Sequence, residues 1–158
     1  MRALLKMRAP LTKLCSAMKS RVVFLDANIL IDFLQANSHG HELSTNLINF
    51  LLNSKRKMVV SPATFAISCY FLNKAYNDSK TAKKIAQEIF SHFTFSEHTK
   101  ADVAKCLKSD FIDLEDALQY FSALQSNADI IVTQNVHDYF PSKIPVMHPF
   151  EFLSIYNS

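Results

Sequence analysis

Four aspartates stand where an apolar run ends or a helix opens: Asp26, Asp113, Asp116 and Asp138. Asp26 closes the run Arg21-Val-Val-Phe-Leu-Asp26, Asp113 and Asp116 head a helical stretch, and Asp138 follows Asp129-Ile-Ile-Val-Thr133. Carboxylates gathered from such distant positions raise one another's pKa, so they persist as a group only where protons or cations neutralise them. Hard oxygen donors with no His or Cys at ligand spacing select Mg²⁺ or Mn²⁺. These ions keep several waters and take phosphate oxygens of a substrate at their open positions.

Each acid also has a purely structural reading. Asp113 and Asp116 have the spacing of an N-cap and a first-turn acid, which stabilise a helix through its dipole. Asp138 with Asn135 suits an Asx turn. Asp26 resists this treatment, because a charge at the end of a wholly apolar strand has no capping gain equal to its desolvation cost.

The elements that must position these residues are legible in the apolar pattern. Short, β-branched runs at 21–26, 58–61 and 129–133 predict buried strands, with weaker ones at 93–95 and 144–147. Helical spacing covers 28–34, 42–54, 80–90, 99–108 and 114–126, and Pro62 after Ser61 opens another helix to about Tyr76. A last turn of helix is expected from Pro149 to Tyr156. Strands separated by helices imply right-handed crossovers, and hence a three-layer α/β/α fold with a mostly parallel sheet of about five strands. In such sheets ligands gather outside the carboxyl ends of the strands, where the acids lie.

Composition narrows the function classes. The chain has 158 residues, 49% of them apolar and 20% charged, which suits one globular domain. Its single glycine, Gly40, rules out both glycine-rich nucleotide loops, so no nucleotide cofactor is expected. No apolar run approaches the ~20 residues that span a bilayer. Cys15, Cys69 and Cys106 form neither a C-x-x-C pair nor an even set, which fits a reducing cytosol. A net charge of +3 permits a polyanionic partner without requiring one. Residues 1–20 form a basic extension with no acid before Asp26; Met18 is the expected natural start, with 1–17 upstream of it, and 21–156 the domain.

Three blocks now carry a family resemblance: Leu25-Asp-Ala-Asn-Ile-Leu-Ile-Asp32, Asp113-Leu-Glu-Asp-Ala-Leu-Gln119 and Ile131-Val-Thr-Gln-Asn-Val-His-Asp-Tyr139. In order and spacing they resemble the signature blocks of PIN domains, a fold that includes the VapC-type ribonuclease toxins of toxin–antitoxin pairs. The resemblance runs from about Arg21 to Leu153. It implies that Asp26, Asp116 and Asp138 are catalytic metal ligands, with Asp113 an auxiliary acid and Asn28, Thr133 and Asn135 in support. It also implies Mg²⁺- or Mn²⁺-dependent hydrolysis of RNA by a cytoplasmic protein, a small antitoxin partner and a homodimer.

Two positions depart from the pattern. PIN nucleases usually carry a Glu in the helix after the second strand, but the block here is Ser61-Pro-Ala-Thr-Phe-Ala-Ile67, and Ile67 has no donor atom. Neighbouring Ser68 is about 100° round the helix and substitutes poorly. Gln134 stands where many relatives have Arg. Either Asp113 compensates, or the domain is a catalytically degenerate module that binds RNA or a protein partner.

The remaining candidates are weaker. His39-Gly-His41-Glu42 lacks a third ligand at a known spacing, and His137 reads as a loop residue beside Asp138. No glycine elbow supports a Ser or Cys triad. Lys55, Arg56, Lys57, Lys83 and Lys84 suit either RNA or plain solvation of helix ends. The thirteen phenylalanines suit a core first and an interface second.

Overall fold

The computed structural model describes residues 20–155. The expectations for residues 1–19 and for Tyr156 lie outside the described residues. Within them the chain runs β1 (Val22–Leu25), α1 (Ala27–Leu34), α2 (His41–Asn53), β2 (Lys57–Val60), α3 (Pro62–Tyr76), α4 (Ser79–Phe90) and β3 (Thr94–Phe95). It continues through α5 (Lys100–Cys106), α6 (Leu114–Gln125), β4 (Ile130–Val132), a 3₁₀ turn (Val136–Tyr139), β5 (Val146–Met147) and α7 (Pro149–Ser154).

The five strands form one sheet in the order β3-β2-β1-β4-β5, and every pairing is parallel. The first strand is therefore the middle one, with Phe24 opposite Val59 on one side and Ile131 on the other. Period-two alternation divides the core between the two faces. Val23, Leu25, Met58, Val60, Ile130 and Val132 pack with α1, α2 and α7 through Ile29, Leu47, Leu51 and Phe152. Phe24, Val59, Ile131 and Val146 pack with α5, α6 and the 3₁₀ turn through Cys106, Ala117, Tyr120 and Tyr139. Burial on both faces is why β1, β2 and β4 read as unbroken apolar runs.

Local chemistry sets the element ends. Ser61 caps α3 through Thr64 N–H with Pro62 in the first turn, and Thr99 with Asp102 forms a capping box on α5. With so little glycine, left-handed positions fall to Lys55, Asn77 and Asn127, and Asn77 closes α3. Among the described residues no helix is long and apolar enough to cross a membrane.

Candidate functional site

The carboxyl ends of β1 and β4 and the start of α6 bring the expected acids to one corner. Asp26 directly follows β1, is 4% exposed, and accepts hydrogen bonds on both oxygens. Oδ1 accepts from Ala27 N–H at 2.6 Å and from Gln119 Nε2 at 2.7 Å. Oδ2 accepts from Asn28 Nδ2 at 2.7 Å and from Thr133 Oγ1 at 2.6 Å. Four donors engage all the lone-pair positions a carboxylate has. Burial still raises the Asp26 pKa, against the lowering effect of the bonds from Thr133 and Ala27 and of the nearby Tyr139 hydroxyl. The bond from Ala27 also makes Asp26 the N-cap of α1, which starts one residue earlier than its apolar spacing suggests.

Asn28 and Thr133 tie this corner together. Asn28 Nδ2 also donates to Thr133 Oγ1 at 3.1 Å, and its Oδ1 accepts from Gln134 N–H at 3.1 Å. Thr133 Oγ1 accepts from Asn135 N–H at 3.0 Å, so Asn135 joins through its backbone and its side chain is exposed. Gln134 turns away from the acids and donates to Asp32 Oδ2 at 3.1 Å. Ser38 also bonds Asp32, and Gly40 lies against its carboxylate.

Asp116, half-buried in the first turn of α6, has its pKa pushed up to about 7. Burial contributes most, followed by the charges of Asp26, Asp138, Asp113 and Glu115. Asp113 caps α6 by accepting from Glu115 N–H at 2.7 Å, so its structural reading holds in the geometry as well. Asp138 is exposed in the 3₁₀ turn, which leaves no Asx turn with the Asn135 side chain. Asp113, Asp116, His137 and Asp138 line a cleft of about 380 Å³ whose rim carries the exposed apolar residues Ile112 and Phe140.

A PIN domain family model matches residues 22–137 of this chain. The protein belongs to the PIN domain family. It is 29% identical over 146 residues to ribonuclease VapC1 of Aquifex aeolicus (strain VF5), covering 89% of this chain and 99% of that one. Its fold is shared with VapBC2 from Rickettsia felis, solved bound to a promoter DNA fragment, at a TM-score of 0.60 and 16% identity over 80% of this chain and 98% of that one. It is shared too with VapC20 of Mycobacterium tuberculosis, a sarcin–ricin loop cleaving toxin, at a TM-score of 0.54 and 14% identity over 69% of this chain and 86% of that one.

This PIN domain has the oxygen donors a hard cation needs. Asp116 and Asp138 accept no hydrogen bond from any described residue, so their oxygens are open. The Tyr139 hydroxyl is buried near Asp26 and Asp116, and it finds no partner at hydrogen-bonding geometry although it is close enough to affect Asp26. No three acidic, His or Cys side chains among the described residues form a ready-made cage. An all-oxygen site completed by waters needs only one or two direct carboxylates.

Ile67 is half-buried on α3, and Ser68 spends its hydroxyl on the Thr64 carbonyl at 2.8 Å. The polar group that α3 does send inward is Thr64, whose Oγ1 donates to Gln119 Oε1 at 2.6 Å. Thr64, Gln119 and Tyr139 are site residues that the sequence reading passed over. The available signal was spacing: Gln119 lies three residues after Asp116, on the same face of α6. His39 is exposed, and His41 Nδ1 lies 3.0 Å from the Asp32 carbonyl, away from the acids.

Proposed function

We propose that this PIN domain is a Mg²⁺- or Mn²⁺-dependent endoribonuclease and the toxin of a toxin–antitoxin pair, acting in the cytoplasm. The observation that carries the reading is Asp116, an acid pushed up to about 7 by burial and by four neighbouring carboxylates. A group this crowded is what a bound cation relieves. Ribonuclease VapC1, similar over nearly its whole length, supports RNA as the substrate.

In this mechanism Asp116 and Asp138 would hold the cation with their open oxygens, and Asp26 would join them by giving up one of its four hydrogen bonds. When bound, the cation supplies Lewis-acid stabilisation of charge on the phosphate and lowers the pKa of water. Asn28, Thr133 and Gln119 donate to Asp26, which favours its ionised form against the effect of burial. Asp113 caps α6 and adds to the local negative field. Asp138 and His137, both exposed at the cleft, stand where a phosphodiester would approach.

The antitoxin belongs to the same proposal. Ile112 and Phe140 are almost wholly exposed beside the acids, a combination suited to a segment carrying apolar and cationic side chains. A homodimer is proposed on the family resemblance, with Tyr70, Phe90 and Leu107 as exposed apolar contacts. One observation favours a second reading, a silent module that binds RNA or a protein: Ile67 offers no carboxylate.

The deciding experiment is cleavage of a fluorescent RNA panel with Mg²⁺, with Mn²⁺ and with excess chelator, comparing the parent with Asp26→Asn and Asp116→Asn. Metal-dependent cutting lost in both variants is expected. Cutting equal to the variants, with folding intact, would replace the nuclease by the binding module.

A further inference from the structure

Of the four donors on Asp26, three come from the next two residues and the end of β4, and the fourth crosses from α6. Gln119 is 3% exposed, and a primary amide has two chemically different ends. An ionised carboxylate only accepts, so Asp26 takes the nitrogen end, and the hydroxyls on the far side of Gln119 complete the arrangement. Gln119 Oε1 only accepts, so it takes the Thr64 Oγ1 proton at 2.6 Å, and Thr64 Oγ1 in turn accepts from Ser61 Oγ at 3.0 Å. With Oε1 held by Thr64, the Gln119 amide nitrogen faces Asp26 Oδ1 at 2.7 Å.

All four residues of this relay are buried: Ser61 at 1%, Thr64 at 0%, Gln119 at 3% and Asp26 at 4% exposure. In such surroundings an unmade hydrogen bond costs the full desolvation of the group, so a network that satisfies every member tolerates few alternatives. Reversing Gln119 would set its carbonyl against the Asp26 carboxylate and leave two acceptors facing each other.

We infer that Gln119 is a positioning residue: aimed by Thr64, its amide fixes the Asp26 carboxylate against α6, and through this relay α3 takes part in the site although Ile67 brings no carboxylate. Asp116 and Gln119 share one face of α6, so a single rigid element both presents one acid and anchors the other. Groups that hydrogen-bond a metal-ligating carboxylate are worth 10–100-fold in affinity or activity in general. The catalytic consequence rests on the proposed nuclease reading; the geometry does not.

The test uses the full chain with Thr64→Val, Thr64→Ser and Gln119→Leu, each checked for an unchanged cooperative unfolding transition. In ¹⁵N-labelled protein the Gln119 side-chain amide protons should exchange slowly in the parent and in Thr64→Ser, and rapidly in Thr64→Val. Mn²⁺ affinity, read by water-proton relaxation, should fall about 10–100-fold in Thr64→Val and Gln119→Leu and recover in Thr64→Ser. On RNA, kcat should fall by a similar factor with KM little changed. A Thr64→Val protein with a protected Gln119 amide, or with parental Mn²⁺ affinity and kcat, would overturn the relay. A parent that cuts no RNA ends the nuclease reading alone, since amide exchange still decides the positioning role.

Discussion

Gly40 approaches the Asp32 carboxylate so closely that a side-chain carbon on it would lie 1.9 Å from Asp32 Oδ2 and 3.0 Å from Gln134 Nε2. The requirement is for space, since the Gly40 backbone, with φ −88°, suits any residue. The carboxylate cannot simply swing aside, because Ser38 and Gln134 both hold it. Gly40→Ala is therefore expected to lower stability by about 1–3 kcal/mol, the cost of leaving those groups unsatisfied. A urea midpoint equal to that of the parent would refute this account of the chain's only glycine.

Asp116→Asn should stabilise the metal-free protein. With a pKa of about 7 in the fold against 3.8 as its ordinary value, Asp116 holds its proton longer when folded than when unfolded. Stability from this group therefore falls as pH rises from about 4 to 7, and the loss is complete above 7. Solvent screening of a half-buried group reduces the effect to about 1–2 kcal/mol. At pH 8 the variant should melt a few degrees above the parent. Adding Mn²⁺ should raise the parent's melting temperature and leave the variant's nearly unchanged, and chelator should reverse the gain. Equal metal responses in the two proteins would remove Asp116 from the cation site.

Asp26→Asn should act in the opposite direction on stability. Every contact of Asp26 donates to it, so the amide's NH₂ must face two donors wherever it turns. A loss of about 1–3 kcal/mol is expected, along with the loss of RNA cleavage. Differential scanning calorimetry of both variants at pH 8 gives the comparison; a stabilised Asp26→Asn protein would contradict the four-donor geometry.

Phe140 is 92% exposed at the rim of the cleft, so Phe140→Ala should leave stability within about 0.5 kcal/mol of the parent. An aromatic face that stacks on a base is worth about 1–3 kcal/mol, which corresponds to a KM for RNA raised about tenfold with kcat little altered. Steady-state kinetics on a short RNA measures both. An unchanged KM would leave Phe140 without a part in substrate binding.

Much of this architecture was legible because the central strands are buried on both faces. Val23-Phe24-Leu25 and Ile130-Ile131-Val132 announce themselves as apolar runs, and Ser61-Pro62 and Asp113 mark helix starts by their capping chemistry. β3 and β5 have two residues each, too few for any period, and their expected spans shortened at the ends. The acids were visible from their strand-end positions. The Thr64–Gln119 bond was not: it joins residues 55 apart, and a Gln on a helix ordinarily reads as solvent-facing. Nor does the apolar spacing of α1 disclose that Asp26 caps it.

The strand order has a consequence for how the protein is made. β1 sits in the middle of the sheet, yet its partner β4 and the Asp26 donor Thr133 arrive 107 residues later. At ordinary translation rates of roughly 5–20 residues per second, that is a wait of about 5–20 seconds. Until then Asp26 has emerged without Thr133 or Asp138, although Gln119 and Asp116 on α6 precede β4 in the chain. A nascent chain, or one broken off before β4, can pair β1 with β2 and β2 with β3 but has no complete acidic corner. For a chain proposed to cut RNA, the order of the strands would delay the weapon until β4 and the turn that carries Asp138 have been made.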